Sequence, residues 1–199
     1  MGRTSDARER LICEASRLFH ARSYESVGVQ ELCDAAEVNK GSFYHFFPSK
    51  EDLVGAVIDA QQQSMIERIL EPALADDVAP LKRIERMFAL LTQVQRSAKR
   101  SGGVTPGCPL VNLTGELSTH EPKLRKKLAR VYRDMHDRLC DTIRDAVKAG
   151  ELPRGTDVER KAEGVLALIE GSMLLSAVHD DPATSGRMAS LALSLLQGP

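Results

Sequence analysis

The segment from Val29 to Phe47 constrains the fold more than any other part of the sequence. Its first half, Val-Gln-Glu-Leu-Cys-Asp-Ala-Ala, carries one small apolar face made by Leu32, Ala35 and Ala36, and Val38 closes a turn against that face. Asn39 suits the start of a second short helix, because its side-chain oxygen accepts a backbone N–H of the first turn. In the helix expected from Lys40 to Phe47, Lys40, Gly41, Ser42, Tyr44 and His45 put donors and a small residue on the exposed start. Phe43, Phe46 and Phe47 remain behind for packing. Two short helices joined by a tight turn, the second with a polar front and an aromatic back, have the form of a major-groove reader. Gly41 lets the backbone come close to a phosphate or base edge.

The rest of the chain extends this pattern. A first helix is expected from about Asp6 to Arg22, on the spacing of Leu11, Ala15, Leu18 and Phe19. Gly28 is a weak cap for the next helix. Pro48 ends the aromatic helix, and Ser49 with Asp52 forms a capping box for a fourth helix that can run to Glu71, before Pro72. Later helices open at Pro80, Pro109 and Pro122, and Gly150 stops the one that begins at Pro122. Thr156 and Glu159 read as a further capping box, for a helix from about Asp157 to His179, and a last helix follows Pro182. No strand signal interrupts the series. The fold class is all-α, about nine helices, with a three-helix N-terminal domain over 1–50 and a larger helical domain over 51–199.

Charge does not by itself point to nucleic acid. The formal net charge is −1, and residues 1–52 hold seven basic against nine acidic side chains. A DNA reading therefore rests on the placement of a few groups and on dimerisation, not on a basic field. No apolar run is long enough for a membrane span, and the N-terminal residues lack an apolar signal region, so a cytoplasmic location is expected. The cysteines at 13, 33, 108 and 140 form no C-x-x-C pair, and His120, His136 and His179 match no metal-ligand spacing. No metal and no cofactor are expected. Lys123, Arg125, Lys126, Lys127 and Arg130 read as a solvated helix face.

The pattern Tyr24-Glu25-Ser26-Val27-Gly28-Val29-x-x-Leu32, followed by Ala36-x-Val38-x-Lys40-Gly41-Ser42-Phe43-Tyr44-His45-x-Phe47-x-Ser49-Lys50-Glu51-x-Leu53, resembles the TetR family of bacterial transcriptional repressors. The resemblance implies an N-terminal helix-turn-helix that binds palindromic operator DNA as a homodimer, and C-terminal helices that bind a small-molecule effector and dimerise. It makes Lys40, Gly41, Ser42, Tyr44 and His45 DNA-facing, with Asn39 as their cap, and Lys50 a phosphate contact. Where many members carry Ser or Thr, this chain has Gly28, which leaves the backbone N–H groups of Val29 and Gln30 for a phosphate. Where many have Gly in the turn, it has Glu37, at a cost in strain. Gly107-Cys108-x-x-x-Asn112-Leu113 matches a stretch of one subgroup, some of whose members answer to electrophiles or small unsaturated acids.

These readings set the remaining expectations. Only Phe88 and Tyr132 of the eight aromatic residues lie beyond position 47, so a modest pocket lined by aliphatic and Met side chains is expected, from Phe88, Leu91, Asn112, Tyr132, Met135 and His136. Cys108, before Pro109, is either a sensor thiol lowered in pKa by a helix N-terminus and by Lys99 or Arg100, or a buried capping residue. Val165, Leu168, Ile169, Ser172, Leu175, Leu191 and Leu195 are expected to form the dimer interface. Two other classes compete: a hydrolase or transferase with Cys108 as nucleophile and His120 or His136 as base, and a helical adaptor that binds only protein.

Overall fold

The computed structural model describes residues 2–117 and 121–198, with side chains from residue 6 onward. His120 lies outside the described residues. The helices are α1 (Gly2–Ala21), α2 (Val29–Ala35), α3 (Lys40–Phe46), α4 (Lys50–Met65), α5 (Glu71–Leu74), α6 (Pro80–Gly102), α7 (Pro109–Leu117), α8 (Pro122–Lys148), α9 (Val158–Val178) and α10 (Ala183–Gln197). A π-helical segment, Ile66–Leu70, joins α4 to α5. Counted as one rod, these three pieces bring the helices to nine, and no strand occurs among the described residues.

Local chemistry sets most of the boundaries. The Asn39 side chain accepts the Ser42 N–H at 2.7 Å, and a Cβ on Gly41 would stand 3.2 Å from that same oxygen. Ser49 Oγ accepts the Asp52 N–H at 3.1 Å and donates to the Asp52 carboxylate at 2.7 Å, which starts α4. Gly150 turns left-handed at φ 77° beyond α8. Glu37 does the same at φ 54° between α2 and α3, a conformation that opposes its Cβ.

Two boundaries differ from the sequence reading. The fourth helix does not stop before Pro72. The Glu71 N–H reaches back five residues to the Ile66 carbonyl, and Pro72, which has no N–H to satisfy, falls in the first turn of the next stretch. At α9 the cap is Asp157, which accepts the Arg160 N–H at 3.2 Å; Thr156 instead donates its hydroxyl to the Pro153 carbonyl.

The chain forms two compact units, Met1–Gln63 with Pro109–Ala129, and Ser64–Cys108 with Arg130–Pro199. In the first, α1 packs on α2, α3 and α7. Leu11, Ala15, Val27, Leu32, Phe43, Leu53 and Ile58 are fully buried there. Residues 51–63 and 109–129, which the sequence division at 50 assigns to the second domain, group with these helices. In the second unit α6 packs on α10, and α10 on α9, around Phe88, Met87, Leu139, Ile143, Val165 and Ile169.

Candidate nucleic-acid interface and sensing residues

The front of α3 is built by its two ends. Asn39 caps it, and Phe43 and Phe47 anchor it in the core at 0% and 3% exposure. Lys40, Gly41, Tyr44 and His45 are exposed, and Ser42 is half-buried. The Tyr44 ring stands edge-on to Phe43 at 5.1 Å, which fixes the phenol's direction while leaving 52% of the residue open. At the start of α2, Gly28 is extended and provides no side-chain cap, so the first N–H groups of that helix are left to other partners. Val29 is half-buried, and exposed Gln30 donates to Asp34 at 2.7 Å.

Lys50 is placed differently from the phosphate contact expected of it. Its ammonium donates to the carbonyls of Tyr24 and Val27 at 2.8 and 2.9 Å and lies 4.0 Å from the centre of the Tyr24 ring. Burial holds its pKa below the usual lysine value, with Glu25 and Glu116 opposing that shift. It braces the loop between α1 and α2 from inside. The charge that a phosphate would meet is already shared by two carbonyl dipoles and a ring face.

A residue that the sequence reading missed completes this loop. Glu116 of α7 accepts the Tyr24 N–H at 2.5 Å. Beside it, Phe19, His20, Arg22, Asn112, Gly115 and Glu116 line part of an open cleft of about 490 Å³. Asn112 therefore sits on this cleft in the first unit, whereas Phe88, Leu91, Tyr132, Met135 and His136 belong to the second. The His20 Nδ1 atom is buried without a partner, and burial lowers that imidazole's pKa.

In the second unit Phe88, Leu91 and Met135 are core residues, and Tyr132 is half-buried against them. Cys108 is 9% exposed, and its thiol hydrogen-bonds the carboxyl of Glu170. Burial raises the Glu170 pKa, only partly offset by that bond, and its Oε2 atom is buried without a hydrogen-bond partner. Lys99, one of the two cations expected to lower the Cys108 pKa, is engaged elsewhere. Lys99 pairs with Asp180 at 2.9 Å and donates to the Asp180 carbonyl. Thr105 donates to the same carboxylate through both N–H and hydroxyl, and together these bonds bring the Asp180 pKa down to about 2. Gln95 donates to the Pro106 carbonyl at 3.0 Å, so the loop before Cys108 is tied down from two sides.

His136 lies beside Cys140 and Glu159. The Cys140 thiol is pushed up to about 12, by burial first and then by the Glu159 carboxylate, and stays protonated.

The expected dimer residues divide. Val165, Ile169 and Ser172 are buried within the chain at 0%, 3% and 2% exposure, and Leu168 is half-buried. The Ser172 hydroxyl donates to the Ile169 carbonyl, and Ser185 links Ser172, Ser176 and Gln95 in one buried network. A Cβ at Gly164 would stand 2.6 Å from Leu195, so the small residues of α9 admit the chain's own α10. Leu175, Leu191 and Leu195 do face outward, joined by Leu174 and Val178, which the sequence reading did not single out.

Comparison with known proteins agrees with this geometry. Residues 11–57 match the family described as bacterial regulatory proteins, tetR family, and residues 80–191 match the tetracyclin repressor-like C-terminal domain. The transcriptional regulator AcuR of Cereibacter sphaeroides is 33% identical over 81% of this chain and 72% of its own length. The transcriptional repressor DhaR of Mycobacterium sp. strain GP1 is 29% identical over 87% of this chain and 83% of its own. The crystal structure of regulatory protein TetR from Rhodobacter sphaeroides superimposes with a TM-score of 0.80 at 30% identity, covering 94% of this chain and 96% of that one. With a helix-turn-helix at its N-terminus and both family domains matched, the chain belongs to the TetR family and is a DNA-binding transcriptional regulator.

Proposed function

We propose that the protein is a repressor that binds a palindromic operator as a homodimer and leaves it when a small molecule binds its C-terminal helices. The single observation that carries the reading is the front of α3, where Lys40, Tyr44 and His45 are exposed on a helix whose cap and aromatic back are fixed. In this reading Lys40, Gly41, Ser42, Tyr44 and His45 meet base edges and nearby phosphates, and the backbone at Val29 and Gln30 meets a phosphate. Lys50 supports the loop and makes no direct phosphate contact. Operator half-sites one helical turn apart match a twofold dimer, and the outward Leu174, Leu175, Val178, Leu191 and Leu195 form its apolar contact.

The effector is a compact molecule without large fused rings, held against Phe88, Leu91, Tyr132 and Met135. The unpartnered oxygen of Glu170 and the Cys108 thiol are its polar contacts. Cys108 acts there as a buried polar group, since a carboxyl and not a cation faces its sulfur. The protein works without catalysis, in the cytoplasm. His136, one of the two bases considered for a Cys108 nucleophile, is engaged with Cys140 and Glu159. Ligand shifts the population toward a dimer whose two α3 helices no longer match the half-site spacing.

The test is selection of duplexes from a random pool by the purified protein. Recovery of one inverted repeat supports the reading. Recovery of no enriched sequence at low salt overturns it.

A further inference from the structure

We infer that His136, Cys140 and Glu159 form a binding site for a divalent transition ion of the zinc class, which cross-links α8 to the first turn of α9. The inference is independent of the operator and effector readings.

His136 and Cys140 stand one turn apart on α8, on the same face. Glu159, in the first turn of α9, brings a carboxylate to them. The Cys140 sulfur is 3.3 Å from Glu159 Oε2 and 3.7 Å from either ring nitrogen of His136, and His136 Nε2 is 3.8 Å from the same Oε2. In a tetrahedral zinc site, with bonds of about 2.3 Å to sulfur and about 2.0 Å to nitrogen and oxygen, ligand atoms lie roughly 3.3–3.6 Å from one another. The three atoms thus stand within a few tenths of an ångström of the separations that one ion imposes. Among the described residues this is the one group of three His, Cys, Asp or Glu side chains so placed.

The surroundings also fit. Arg144 donates to Glu159 Oε1 at 2.7 Å, which holds the other oxygen toward the sulfur. His136 Nε2 also lies 3.2 Å from the Glu159 backbone carbonyl, which sets the imidazole beside the first turn of α9. Sulfur, nitrogen and oxygen donors together select zinc, cobalt or nickel over magnesium or calcium. Three protein ligands leave a fourth position for water. The sulfur binds as thiolate: the S–H bond breaks, the metal–sulfur bond forms, and the proton passes to solvent.

Cobalt(II) added to the reduced full chain provides the test, because it reports its own ligands. The expected result is tight binding of a single ion per chain, with a thiolate-to-cobalt charge-transfer band and the strong visible bands of a tetrahedral site, both abolished by zinc. Cys140→Ser removes the charge-transfer band. His136→Ala and Glu159→Gln each weaken binding by about tenfold or more, while Cys13→Ser and Cys108→Ser leave it unchanged. Glu159 is largely exposed, so Glu159→Gln keeps the fold even if Cys140→Ser does not. Absence of the charge-transfer band in the parent at saturating cobalt overturns the site. So does its survival in Cys140→Ser, or parental affinity in both His136→Ala and Glu159→Gln.

Discussion

The carboxylate of Glu116, on α7, accepts the backbone N–H of Tyr24, in the loop that leads into the helix-turn-helix, at 2.5 Å. A charged acceptor on a half-buried N–H is among the stronger hydrogen bonds a fold contains. It fastens α7 to the loop that Lys50 also holds, through the carbonyls of Tyr24 and Val27. Because α7 begins at Pro109, directly after Cys108, the covalent chain runs from the effector residues to this bond. Glu116→Ala is expected to lower stability by about 1.5–3 kcal/mol and to blunt release by effector more than it weakens operator affinity. Denaturant unfolding, with operator titrations in the presence and absence of effector, checks both parts.

Lys50 separates a brace from a phosphate contact. Removing a direct phosphate contact reduces the slope of log K against log salt by about one. With its ammonium on the Tyr24 and Val27 carbonyls, Lys50→Met is expected to leave that slope unchanged, lower stability by about 1–3 kcal/mol and weaken operator binding through the loop. Salt titrations of DNA binding, set beside thermal unfolding, distinguish the two roles.

Such details mark how far the sequence could be read. Caps were legible because they act over three or four residues, as at Asn39, Ser49 with Asp52, and Gly150. The polar front of α3 was legible for the same reason. The direction of Lys50 was not, since its partners are 26 and 23 positions away. On α9, apolar residues occupy more than one face, so periodicity does not say which face meets α10 and which faces out. Val165, Ile169 and Ser172 turned inward, while Leu174 and Val178 were left outside. Glu170 interrupts the apolar run from Val165 to Val178, and only the fold put it against Cys108. Likewise the pairing of His136 with Cys140 is a one-turn spacing, but Glu159 joins them only through the return of the chain into α9.

Asp180 gives a pH signature. Its carboxyl is held at about 2 by bonds from Lys99 and Thr105, well below its unfolded value. A depressed carboxyl contributes stability that is present above the unfolded pKa, about 3.9, and is lost as pH falls through the folded one. Asp180→Asn keeps a side chain that tolerates the left-handed backbone at φ 48°. The difference in unfolding midpoint between parent and Asp180→Asn is expected to be constant above about pH 5 and to shrink toward pH 2. Urea unfolding across that range measures it.

The outward leucines of α9 and α10 bear on assembly. Leu191 and Val178 are 51% and 69% exposed, which leaves large apolar side chains of α9 and α10 in water unless a second chain covers them. Leu191→Glu with Val178→Glu is expected to yield a folded monomer at micromolar concentration, with helical content retained. Sedimentation velocity alongside circular dichroism checks it, and binding to a full inverted repeat should fall with the dimer.

The central claim is that the exposed front of α3 reads the operator. Its most direct test is fluorescence anisotropy on the inverted repeat recovered by selection, or on the repeat upstream of the gene itself, with parent, Lys40→Ala and Tyr44→Ala proteins. All three are first shown to be folded dimers. The account predicts that each variant loses about tenfold or more in affinity for the operator, roughly 1–3 kcal/mol, with a smaller loss on unrelated DNA for Tyr44→Ala. Parental affinity in both variants would contradict it.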